Sequence, residues 1–363
     1  MIYIIAMQSS YTKRFITLLT IIFICASVSF SQFDNTDFLR AGEVDGIKLT
    51  EAYITPWANA FGAGVNGSWY NTAKPHKFGG FDITLGTNFG FVPSSALNYD
   101  VSKIGLTEFT GTGMAPTVAG PDKDGPILTG PGVDGIAPVT FRTPPGTDWK
   151  TMPVPTLTAG IGLPLGTELR IRYIPKISIS DANISSWGVG LLHSLIQYLP
   201  GEKLLPFDVS LFGGFTRLQS NVPLDMQPDP AKEWNYTDAY PPGSFDNQNF
   251  GITIDAWNAS LIGSFNLPVI SFYGGLGYSS TRTLIKMTGN FPLPTINPAV
   301  STTDYIYEDA GVLKNFPDMD IKNFSGLRTN VGFRLKFAVV TIHADYTWSQ
   351  YSVVSTGLGI SFR

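Results

Sequence analysis

The 363-residue chain has one cysteine, three histidines and little charge, and each shortage closes a class of explanation. Cys25 sits in an apolar N-terminal run, so an exported mature chain would keep no thiol and no disulfide. His76, His193 and His343 are scattered without metal-ligand spacing, and no cofactor is expected. Charged residues make up 14% of the chain, against roughly 25% in ordinary soluble proteins. The formal net charge is -4 with no basic cluster, so the footprint of a nucleic-acid binder is missing. Beyond residue 32 no window approaches 18 consecutive apolar residues, which excludes helical membrane spans. No repeat of propeller-blade length is visible.

What is there points to export and to a membrane. Aromatics reach 13% and glycines number 38, a composition suited to a surface that does not all face water. Lys13 and Arg14 precede the apolar run Phe15 to Ala26, and Ser29-Phe30-Ser31 follows, which reads as a signal peptide over residues 1–31 cleaved before Gln32. Ile24 stands where a lipoprotein would need a small residue before Cys25. An exported chain without helical spans can cross a membrane only as a closed barrel, because hydrocarbon offers no partner to an unpaired strand edge.

Period-two alternation supports that route. Ile83, Leu85, Phe89 and Phe91 share one face, with Asp82, Thr84, Gly86, Asn88 and Gly90 on the other. The same alternation runs through Leu157 to Leu163, Glu168 to Tyr173, Leu327 to Phe337 and Val340 to Trp348. Glycine blurs it in further candidates near 186–195, 207–219, 250–265, 269–287 and 353–362. Long Pro- and Gly-rich links near 92–153, 220–249 and 288–320 fall after odd-numbered strands, whereas links such as Leu163 to Gly166 are short. Transmembrane barrels show this asymmetry between periplasmic turns and outer loops. A secreted sandwich would also alternate, but rarely with wide loops confined to one end. The expectation is an all-β fold, a transmembrane antiparallel barrel of 10–14 strands over residues 78–363, with residues 32–77 a periplasmic or plug segment. The count runs above ten because the first long link could hide further hairpins.

Two motif sets carry a resemblance. Trp69-Tyr70-Asn71-Thr72-Ala73 with Lys74, His76, Lys77 and Gly80-Phe81-Asp82, and Trp187-Gly188-Val189-Gly190 with His193-Ser194, Tyr198-Leu199-Pro200-Gly201 and Pro206-Phe207-Asp208-Val209, resemble an uncharacterised Gram-negative outer-membrane barrel family. Tyr70-Asn71-Thr72-Ala73 is more distantly similar to the Tyr-Asn-Pro-Ala element of long-chain fatty-acid transport channels, with Thr72 in place of Pro. The resemblance implies residence in the bacterial outer membrane, contact with its lipid, and assembly by the barrel-assembly machinery through a closing strand such as Gly357 to Phe362. In those channels an N-terminal segment plugs the barrel, and Phe38, Leu39, Leu49, Tyr53 and Trp57 are compatible with such a plug.

If the alternation holds, Arg170, Arg172, Arg328, Arg334, Lys336, His343 and Asp345 project into the lumen. They could line a selective passage or form a salt-bridged filling. No residue reads as catalytic: His193 and Ser194 are adjacent and face opposite ways on a strand, and His343 would need a serine from a neighbouring strand to act as a surface hydrolase. Two functions follow, a passive channel for small or hydrophobic molecules, or a structural or interaction barrel with a filled lumen and binding loops.

Overall fold

The computed structural model describes residues 41–130, 138, 140–179, 182–200, 206–225, 243–292, 295–296, 305–306, 312–321 and 325–362. The expected signal peptide and residues 32–40 lie outside the described residues. Ten strands make up the wall: β1 (Phe81–Phe91), β2 (Thr151–Leu163), β3 (Thr167–Ile179), β4 (Ala182–Ser194), β5 (Phe207–Leu224), β6 (Gln248–Asn266), β7 (Ile270–Pro292), β8 (Ser325–Phe337), β9 (Val340–Trp348) and β10 (Val353–Phe362). Each pairs antiparallel with its sequence neighbour, and β1 with β10 closes the ring from Phe81↔Phe362 to Gly90↔Val353. Closure pairs the first strand with the last, so that no strand is an edge along its whole length. The strand Val312–Ile321 pairs with the upper part of β7 and leads into β8.

Ten is the low end of the expected range. The first long link does contain hairpin pairs, Asn98–Asp100 with Met114–Pro116 and Ile127–Thr129 with Thr140–Arg142, but each forms its own small sheet outside the ring. The links after β1, β5 and β7 are long and define a loop end. At the opposite, turn end, β2–β3, β6–β7 and β8–β9 are joined by residues 164–166, 267–269 and 338–339.

The wall changes sense along its length. In the lower part Phe265, Leu261 and Trp257 of β6 face outward and exposed, while Ser264, Ser260 and Asn258 face inward and buried. Above Trp257 the pattern inverts. Phe250, Ile252 and Ile254 are buried inside, and Arg217, Asp255, Arg282 and Asp320 form exposed or half-buried ion pairs outside, both at 2.6 Å. A row of aromatics, Trp187, Phe215, Trp257 and Tyr278, marks the change. Lipid outside selects apolar-out below that row; water outside and a packed interior select the reverse above it.

The packed interior is a helix. α1 (Gly42–Val65) lies at the loop end, with Leu49 and Tyr53 buried one turn apart on the face that meets the inverted strands. Gly62 and Gly64 weaken helix propensity at its end, and the Asn66 N–H closes back on Gly62 O and Ala63 O at 3.2 Å. From there residues 66–80 descend through the lumen to β1. The helix and the descending chain both press closely against the wall: a Cβ on Gly90 would collide with the Ala60 carbonyl of α1, and one on Gly162 with the carbonyls of His76 and Lys77. This helix and segment plug the barrel.

Candidate functional site

Alternation on β3 and β8 turns their cations inward, where they meet the plug rather than open space. Arg172 Nη1 donates to Val65 O at 2.8 Å and its Nη2 to Gly67 O. Arg328 donates to Asn66 O at 2.9 Å and Arg170 to Trp69 O at 2.9 Å. Three guanidinium groups therefore hold the carbonyls at and just beyond the C-terminus of α1, where the helix dipole places negative charge. Arg172 also lies over the Trp69 ring, 3.9 Å from its centroid. Below it Trp69, Tyr70, Leu192, Phe212, Ile262 and Tyr273 fill the middle of the lumen.

The remaining sequence candidates also face inward. Asp345 accepts from Tyr273 Oη at 3.0 Å, and His343 Nε2 lies 3.2 Å from Ser68 Oγ. This histidine and serine meet inside the plug, and His343 Nδ1 has no partner to orient the ring. Lys336 Nζ donates to Ser361 Oγ at 3.3 Å. Arg334 is buried, and among the described residues its guanidinium has neither a hydrogen bond nor a carboxylate within 4 Å.

Near the turn end a relay stands that the sequence reading missed. Ser361 Oγ is 3.0 Å from His76 Nε2, His76 Nδ1 is 2.9 Å from Glu168 Oε2, and the His76 N–H donates to the same oxygen at 2.8 Å. Arg170 Nη2 sits 2.6 Å from Glu168 Oε1 and 3.8 Å from Asp82 Oδ1. A serine, a histidine and an acid in this order resemble a hydrolytic triad. Ser361 is only 1% exposed, however, so no substrate reaches it in this conformation, and the relay acts to tie His76 of the descending chain to the wall. His76, Asp82 and Glu168 offer three ligand atoms within 4.8 Å of one another, but Arg170 already supplies the counter-charge a metal would bring. The signal for this cluster was Glu168, which alternation places on the same inward face as Arg170; a buried carboxylate demands a partner.

The wall itself is incomplete. The β2–β3 ladder runs from Leu163↔Thr167 only to Thr158↔Arg172, and beyond it β2 pairs with β1 alone and β3 with β4 alone. Pro153 and Pro155 on β2 and Pro175 on β3 lack the N–H a ladder needs, and β3 shifts register between Ile174 and Ile177. The cleft so formed encloses only about 10 Å³, room for about one water, within a 250 Å³ recess that includes open solvent, and is lined by Val65, Val154, Pro155, Ile174 and Leu218 with Arg172, Thr156, Ser186 and Thr216 among them. It leads from the outer face of the wall at Leu157 to the end of α1.

At the loop end α1 is anchored through Asp45. Its carboxylate, 1% exposed, accepts from the backbone N–H groups of Thr107, Glu108 and Phe109 at 2.8 to 2.9 Å. Burial pushes this carboxyl up, but those donors and the Thr107 hydroxyl outweigh burial and hold it below its ordinary value. Tyr53, pushed up to about 12 by burial, stays protonated and donates to Pro145 O at 2.8 Å.

Among solved structures, the chain is similar to the Escherichia coli outer-membrane protease OmpT at 8% identity and a TM-score of 0.31, over 80% of this chain and 100% of that one. It is similar to the Pseudomonas putida toluene transporter TodX at 10% identity and a TM-score of 0.28, over 84% and 74%. To Ail, the attachment invasion locus protein of Yersinia pestis, it is similar at 9% identity and a TM-score of 0.26, over 78% and 98%. Values this low transfer neither activity nor ligand. No curated protein matches. Over residues 11–362 the sequence of this plugged ten-strand barrel matches, and the chain belongs to, the family of unknown function DUF6588.

Proposed function

We propose that this protein is an outer-membrane barrel that passes small hydrophobic molecules through the side of its wall while its own N-terminal segment keeps the axis shut. One observation carries the reading: β2 and β3 part above Thr158 and Arg172, and an apolar cleft enters there beside the aromatic row. Val154, Pro155, Ile174 and Leu218 offer a solute dispersion and burial with few hydrogen-bonding demands. The exposed apolar outer face fits lipid, and the short links fit a periplasmic turn end. The cleft is narrow as it stands, so passage requires the end of α1 to yield.

The test is uptake of the apolar dye N-phenyl-1-naphthylamine by intact Gram-negative cells. Cells making the protein should take up dye faster than cells with an empty vector. Leu157→Cys with Tyr173→Cys, the positions just past the last ladder pair, should slow uptake under oxidation and restore it on reduction. Uptake equal to the vector control would contradict the reading and favour the alternative, a structural or interaction barrel. That alternative is itself supported by the three arginines that clamp the plug.

A further inference from the structure

Among the described residues, the turn end holds more cationic side chains than carboxylates. Arg170, Arg334 and Lys336 project there from the wall, against Asp82 and Glu168. Both carboxylates are taken: Glu168 by Arg170 and His76, and Asp82 by the Thr84 hydroxyl at 3.2 Å with Arg170 and His76 within 4 Å. Arg334 has Asp82 and Glu168 as electrostatic neighbours but forms an ion pair with neither. It is 9% exposed, its Nε is sealed without a partner, and no described carboxylate lies within ion-pair distance. Removing a guanidinium from water without pairing it is expensive, so a fold that keeps one there has a use for an anion. Two residues along β8, on the same inward face, half-buried Lys336 donates to Ser361, and the exposed Lys74 and Lys77 stand on the descending chain. Lys74 has Asp208 as an electrostatic neighbour; Lys77 has no described carboxylate within 4 Å.

We infer that the turn-end mouth is a binding site for a small oxyanion, a phosphate or carboxylate group, with Arg334 as the inner donor and Lys336 as the outer one. A planar guanidinium suits two oxygens of such a group, and the ammonium contributes as a point charge. Lys74 and Lys77 would draw the anion to the mouth, an effect that weakens with salt. The site is separate from the wall cleft, and dye uptake through that cleft does not bear on it.

The experiment is isothermal titration of the full-length barrel in dodecyl maltoside with inorganic phosphate, at fixed ionic strength in chloride. A second arm uses nanodiscs of phosphatidylglycerol against phosphatidylcholine to ask whether a lipid phosphate already fills the site. The expected result is saturable phosphate binding that Arg334→Gln weakens by about tenfold or more, the loss of a charge-assisted contact. Phosphate binding abolished only in phosphatidylglycerol discs would identify the lipid headgroup as the anion and equally support the site. Should Arg334→Gln fail to fold, Lys336→Gln serves in its place, with a severalfold weakening expected. Absence of phosphate binding by the wild type in detergent, or binding unchanged in a folded Arg334→Gln or Lys336→Gln barrel, would overturn the inference.

Discussion

Single side chains decide whether the plug stays seated. Arg172 satisfies two buried carbonyls and stacks on Trp69, so Arg172→Met leaves Val65 O and Gly67 O without donors in a sealed place. We expect a loss of about 3 kcal/mol, read as a lower urea midpoint of heat-modifiable gel migration. Asp45 makes a pH-dependent contribution. Its folded value lies below the ordinary 3.8, so its stabilisation is full above that value and is lost as pH falls through the lower folded one. Pepsin should therefore begin to cut the segment at residues 105–110 only as pH falls below about 4, whereas Asp45→Asn should be cut there at every acid pH. Equal cutting of both proteins across that range would contradict the assigned role. At this scale the sequence was partly legible. Alternation turned Arg170, Arg172 and Asp345 inward, but it could not say that the first two would meet backbone carbonyls, because those belong to a segment a hundred residues away. His76 had no periodicity to place it at all.

Among the elements, the close approach of α1 to β1 is the tightest joint. A Cβ at Gly90 would lie inside the Ala60 carbonyl, so Gly90→Ala must push the helix off the wall. The expected cost is on the order of 2–3 kcal/mol, with faster trypsin cleavage after Lys48 as its local sign. Unchanged cleavage would mean that α1 is not seated there. The strands themselves were legible as alternation, and all ten wall strands overlap segments picked out that way. Their blurring in β5, β6 and β7 has a cause beyond glycine. On β6 the inward residues change from Ser260 and Asn258 to Ile254 and Ile252, so one strand carries both senses of alternation and no single face can be read along its length. The β2–β3 parting was written in Pro153, Pro155 and Pro175, which an edge-strand reading of proline could have flagged. The helix α1 was least legible, since its apolar spacing includes Pro56 and four glycines.

For the whole molecule, closure of the ring followed from the absence of helical spans together with alternating strands, whereas the state of the lumen did not. Whether inward charges line water or hold a plug depends on where residues 41–80 run, and no local pattern records that path. The described lumen is filled from the loop end, where Leu49 and Tyr53 pack beneath the loops, through Trp69 and Tyr70, to His76 at the turn end. This segment of the chain therefore closes the axis of its own barrel. Planar-bilayer recording tests it most directly: the purified full-length barrel should insert and stay electrically silent, with brief flickers at most, although the same sample is heat-modifiable on gels. Steady, ohmic single-channel steps from that folded sample would contradict a sealed axis and, with it, the account of the arginine clamp.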